Sequence, residues 1–151
     1  MAGLQHSFFL VRRTEFSPVD HLRFAALPGD IELHDDVIRY MDDTLRWLPA
    51  YNPARRQDCE GLCLYGSTVV WAHGARVAAQ IFSAWERLFS LGPAELELTG
   101  AYAWEEDPEA GRYEKLRFER DELCARLRAL VTLCETVVRE EGEFFLLHSG
   151  I

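Results

Sequence analysis

The sequence predicts one α+β domain over residues 1–151, a mostly antiparallel sheet with helices packed on one face. Two observations lead there. ELELTGAYAW (95–104) and RYEKLRF (112–118) alternate in character on either side of a short polar turn, which reads as an antiparallel hairpin. The two strongest helical stripes, in 73–92 and 119–142, flank that hairpin, so helices and antiparallel strands must share one core. A length of 151 residues favours a single domain, and 48% hydrophobic residues lie within the globular range.

The elements follow in order. SFFLVRR (7–13) is β-prone and ends in charge, so it reads as a strand. FSPVDHLRFAALPG (16–29) carries a helix start, with Ser17 to cap, Pro18 for the first position and Asp20 for the first turn. DIELHDDVIRYMDDTLRWLP (30–49) places Val37, Met41, Leu45 and Leu48 at helical spacing, which predicts a helix ended by Pro49. AYNPARRQDCEG reads as a loop. GLCLYGSTVVW (61–71) predicts one kinked strand or two short ones, with Gly66 at the bend. In HGARVAAQIFSAWERLFSLG (73–92), Val77, Ile81, Ala84, Trp85 and Leu88 form one stripe, and Gly92-Pro93 ends the helix. Gly100 allows a phase slip in the hairpin. Leu123, Leu127, Leu130, Cys134 and Val137 mark a helix over 119–142, and EFFLLHSGI (143–151) is a last strand. A hairpin flanked by two helices, with a final strand, also resembles a split βαβ arrangement.

Composition narrows the function. A formal net charge of −9 argues against a sequence-independent grip on nucleic acid and against docking on anionic membrane. It favours a neutral or basic protein partner. The start MAGLQHSFFLVRR lacks the charged region of a secretory signal, and no run of 18 apolar residues occurs, so a cytoplasmic setting is expected. Cys59, Cys63, Cys124 and Cys134 are then expected as free thiols.

Signs of chemistry are sparse. Cys59 and Cys63 with His73 make an incomplete metal set, since zinc needs four ligands or three and a water. Cys124 and Cys134 sit on a helical stripe and read as packing residues. His34 stands beside Asp35 and Asp36, which suits a base but equally suits a helix start. His73 reads as a cap-region residue, and His148 is placed to face solvent on the last strand. No GxSxG elbow or phosphate-cradling motif occurs, and the single lysine, Lys115, gives nucleotide binding little support. No catalytic residue, metal or cofactor is assigned.

Acidic groups are the stronger signal. Glu105, Glu106, Asp107 and Glu109 crowd the hairpin turn, with Tyr102, Trp104 and Tyr113 beside them. On a continuous helix, positions seven apart return to one face, so Asp35 with Asp42 and Asp36 with Asp43 form a double acidic row. Acids keep small proteins soluble, and aromatic residues pair across strands, so both groups have plain structural readings. Acids with adjacent aromatics also steer and anchor a basic partner.

WEEDPEAG, HDDVIRYMDD and the ending EFFLLHSGI, in a compact acidic α+β chain, resemble in type the bacterial immunity proteins of polymorphic toxin systems. The resemblance implies a stoichiometric, non-enzymatic inhibitor that covers a toxin domain. No functional residue is carried over from it. Two other readings stand beside it. One is a small enzyme using His34 with an aspartate, or a Cys59/Cys63/His73 site. The other is an assembly subunit, including a homodimer through an exposed strand such as 7–13 or 143–151.

Overall fold

The computed structural model describes residues 4–151. In chain order its elements are β1 (Gln5–Arg12), β2 (Ile31–His34), α1 (Asp35–Tyr40), α2 (Asp42–Leu45), β3 (Pro49–Asn52), β4 (Gln57–Glu60), β5 (Ser67–Val70), α3 (Ala72–Ser90), β6 (Glu95–Ala103), β7 (Arg112–Glu119), α4 (Arg120–Arg139) and β8 (Phe144–Ser149). Six strands form one sheet in the order β2-β1-β8-β5-β3-β4, and β6 and β7 pair separately. All pairings are antiparallel. The α+β architecture, with its helices on one face, is as the sequence predicts.

The two ends of the chain meet in the middle of the sheet. β1 runs beside β8 from Ser7↔Ser149 to Arg12↔Phe144. Both strands are apolar on both faces, the pattern of interior strands. Phe8 and Leu146 point to the helix side, where Phe82, Leu127, Leu130 and Val137 complete the main core with Met41 and Leu45. Phe9, Val11, Val69, Phe145 and Leu147 point the other way, against Phe16, Phe24, Tyr51 and Trp71. Because β1 and β8 are flanked on both sides, neither offers an edge for strand-mediated pairing. The sheet edges are β2 and β4.

Several expected elements differ. The 16–29 segment makes only a 3-10 turn over Pro18–Phe24, although its start is as expected, with Asp20 accepting from the Ser17 backbone N–H at 2.8 Å. The 30–49 segment is not one helix. Ile31 to His34 pair with β1 in the register Phe8↔Ile31 to Gln5↔His34, because Leu33 and the β-branched Ile31 gain more by joining the sheet. Helix runs only from Asp35 to Leu45 and is stepped at Met41. The predicted 50–61 loop is largely a hairpin, β3 with β4, turned by Asn52, whose Oδ1 accepts from the N–H groups of Ala54 and Arg55. Pro49 sits at the first strand position, where its missing N–H is tolerated. Only 67–70 of the 61–71 run is strand. The β6–β7 register slips between Thr99 and Tyr102, where Gly100 was expected to allow it. No helix among the described residues is long and apolar enough to cross a membrane.

Candidate functional site

The β6–β7 hairpin is anchored at one end and free at the other. Leu96 and Leu116 are buried, with Leu98 and Phe118 packed against the core. Every residue from Ala101 to Ala110 is exposed. This outer half is nevertheless ordered by its own contacts. Tyr102 packs on Tyr113 at 5.1 Å between ring centroids and on Trp104 at 6.0 Å. The Tyr102 hydroxyl donates to the Pro108 carbonyl at 2.7 Å, and Asp107 caps the 3-10 turn Pro108–Ala110 by accepting from the Glu109 N–H. Gly111 lies flat against the Tyr102 ring, where a Cβ would come within 2.7 Å of it. Trp104 and Tyr113 line an open groove of ≈ 730 Å³ at the tip, with the carboxylates of Glu105, Glu106, Asp107 and Glu114 and the cations of Arg112 and Lys115. Its lining is therefore aromatic and net acidic, which suits a cationic side chain through charge pairing and cation–π contact.

The second acidic group does not form the expected double row. The step at Met41 breaks the seven-residue recurrence, and the four aspartates separate. Asp35 is buried and turns inward. Asp36 is half-exposed and lines a ≈ 380 Å³ cleft with Gly100, Ala101 and Glu114 of the hairpin. Asp42 pairs with Arg46 at 2.8 Å, and Asp43 is exposed. Of the four, only Asp36 joins the hairpin's surroundings.

Asp35 belongs to a buried polar chain. Its Oδ1 accepts from His6 Nε2 at 2.8 Å, and its Oδ2 accepts from Arg39 Nε at 2.6 Å. His6 Nδ1 lies 2.8 Å from His148 Nε2, and Arg39 reaches outward to the Tyr65 hydroxyl at 2.9 Å. His6 and His148 are 0% exposed. Burial would raise the Asp35 pKa, but the hydrogen bonds from Arg39 and His6 outweigh it and hold the carboxyl below 3.8. An ionised carboxylate only accepts, so His6 Nε2 carries a proton. Burial lowers the pKa of His6 against the opposing pull of Asp35, and lowers that of His148 well below 6.5. Both rings are then neutral at pH 7. His6 Nδ1 must accept, His148 Nε2 must donate, and His148 Nδ1 is left as a bare acceptor. That atom has no partner among the described residues. His148 therefore lies in the core and not toward solvent. It pairs with Thr68 on one side and Phe8 on the other, on the helix-facing side of the sheet.

The remaining candidates serve the scaffold. His34 Nδ1 accepts from the Asp36 N–H at 3.1 Å, capping α1, while Asp35 turns away from it to His6. His73 is exposed in the first turn of α3. Cys59 and Cys63 are half-buried, and burial pushes the Cys59 thiol up. Among the described residues no three His, Cys, Asp or Glu side chains gather as a metal-holding group. Burial pushes Cys134 up to about 12, and Cys124 is also raised, so neither is activated as a nucleophile. The residue that sequence reasoning missed is His6. Its signal was present, since His6, Phe8 and Leu10 alternate onto one strand face, but the expected strand began only at Ser7.

No family model, curated protein or solved structure matches this chain.

Proposed function

We infer that this protein is a non-enzymatic binding protein whose β6–β7 arm docks on a basic protein partner. The carrying observation is the outer half of that hairpin. It is exposed throughout, yet its aromatic residues are already stacked and its turn already capped. Preorganised side chains lose little entropy on binding, and tyrosine and tryptophan are the residues that anchor interfaces. Nothing in the scaffold requires Glu105, Glu106 and Glu109 at this turn, whose conformation needs only Asp107, Pro108 and Gly111. The most concrete form of this reading is a toxin-neutralising immunity protein, with the acidic rim placed over a basic cleft of the toxin domain. The acidic, compact α+β character of the chain supports it.

The test uses the immobilised protein and a soluble extract of its native host at low salt. Wild type should retain a basic protein, and Glu105→Lys with Glu106→Lys and Glu109→Lys together, which leave the Asp107 cap in place, should lose it. The interaction should also weaken steeply between about 0.05 and 0.5 M salt, because the charges are exposed and screened. Equal retention by the triple variant at low salt would sink the hairpin reading.

A further inference from the structure

Thr68 of β5 and His148 of β8 sit side by side in the core. They are direct cross-strand partners on the helix-facing side of the sheet, and both are 0% exposed. Directly opposed residues hold their Cβ atoms about 4.5–5.5 Å apart. Each of the two has hydrogen-bonding capacity left over. His148 Nε2 is used by His6, and Nδ1 is an acceptor with no partner among the described residues. Thr68 Oγ1 accepts from the Cys63 N–H at 2.8 Å, so its own proton remains to be donated. A buried donor and a buried acceptor are thus neighbours that do not bond to each other. Such groups are costly when unpaired, and protein cores satisfy them with protein atoms or with ordered water.

The place of this pair in the polar chain makes the match more specific. Arg39 joins the Tyr65 hydroxyl to Asp35, Asp35 joins Arg39 to His6, and His6 joins Asp35 to His148. Thr68 in turn holds the N–H of Cys63, two residues before Tyr65. The bonds therefore leave the 61–66 segment at Tyr65 and return to it at Cys63, and the link still to be made lies between His148 Nδ1 and Thr68 Oγ1. Its chemistry is narrow. The linking group must donate to Nδ1 and accept from the threonine hydroxyl. A metal ion cannot donate, and a simple anion cannot either. The group must also be neutral, because the site is fully buried and the Asp35 charge is already matched by Arg39. It must be small, because the two side chains are immediate neighbours. Water meets all of these conditions, and buried waters in proteins commonly bridge polar groups of this kind.

We propose that an internal water-binding site lies between Thr68 and His148, where one ordered water accepts from Thr68 Oγ1, donates to His148 Nδ1 and closes a hydrogen-bonded circuit through β1, β8, β5 and α1. A crystal structure of wild type that resolves ordered solvent reads it directly. It should show one water within about 3.2 Å of both atoms. A direct bond between Thr68 Oγ1 and His148 Nδ1, or no water at either atom, overturns the proposal. Nitrogen-15 spectra of the imidazole rings give the matching readout in solution. The His148 Nδ1 resonance of wild type should be that of an unprotonated nitrogen that accepts a hydrogen bond. Thr68→Ser, which keeps the hydroxyl, should leave it in place. Thr68→Val, which keeps the shape and removes the hydroxyl, should shift it toward the position of a bare nitrogen. An unshifted resonance in a folded Thr68→Val variant would show that the threonine takes no part in the link, and would also overturn the proposal. If Thr68→Val fails to fold, the wild-type structure and the Thr68→Ser spectrum decide.

Discussion

Asp35 is the acceptor that ties the buried His6–His148 pair to Arg39. Without it, His6 Nε2–H has no acceptor in a fully buried position, and Arg39 loses its short bond. Removing the acceptor of a buried neutral donor leaves that donor unsatisfied and costs about 1–3 kcal/mol, while the exposed Arg39 regains water. Asp35→Ala should therefore lower the urea-unfolding free energy by about 1–3 kcal/mol. A loss below about 1 kcal/mol would mean that water replaces the carboxylate. The same network sets the response to acid. His6 and His148 have folded pKa values below 6.5, so between those values and 6.5 the unfolded chain binds more protons than the folded one. Stability then rises with pH in that window and is lost as pH falls through it. Each such histidine contributes about 1.4 kcal/mol per pH unit there. Asp35, depressed below 3.8, adds a further loss below that pH. Chemical denaturation between pH 7 and 5 should show the decline, and His148→Gln should reduce its slope by up to one proton's worth. An unchanged slope would show that His148 is not held neutral. At this scale the sequence was legible where chemistry is local, as in the Ser17–Asp20 cap. It was not legible for Asp35, because whether an aspartate at a helix start points to solvent or inward depends on His6, a residue 29 positions away.

Among the elements, the long amphipathic helices and the hairpin were readable because their periodicity extends over many residues. The short strands β2, β3 and β4 were not, since four residues carry too little pattern to outweigh neighbouring helical spacing. Val37, Met41, Leu45 and Leu48 do all face the core, so the helical stripe was correctly seen. What it could not reveal was that Ile31–His34 would pair with β1. The join between α3 and β3 gives the element-scale prediction. Gly74, buried in the first turn of α3, lies so close to β3 that a Cβ would stand 2.2 Å from the Pro49 carbonyl oxygen. Backbone cannot swing aside as a side chain can. Gly74→Ala should move the helix off the sheet and cost about 1–3 kcal/mol, although alanine is the better helix former. Thermal unfolding checks the sign, and a stabilised variant would show that the contact relaxes freely.

At the scale of the whole molecule, the proposed function puts binding on a part of the chain that the core does not use. The six-stranded sheet with α3 and α4 makes the core, and the outer half of the β6–β7 hairpin contributes none of the fully buried side chains. A binding surface drawn from such a region can vary in sequence without threatening the fold. This separation can be tested by shortening the arm. Thr99 and Lys115 are cross-strand partners, so residues 100–114 can be replaced by Asn-Gly, a two-residue turn suited to the strand twist. Leu96, Leu98, Leu116 and Phe118 stay in place and continue to close the core. The shortened protein should fold with a stability within about 1 kcal/mol of wild type, because only surface contacts are removed. It should fail to retain the basic partner. A shortened chain that unfolds would show that the arm supports the core through the cleft shared with Asp36. One that still captures the partner would move the binding surface away from the hairpin.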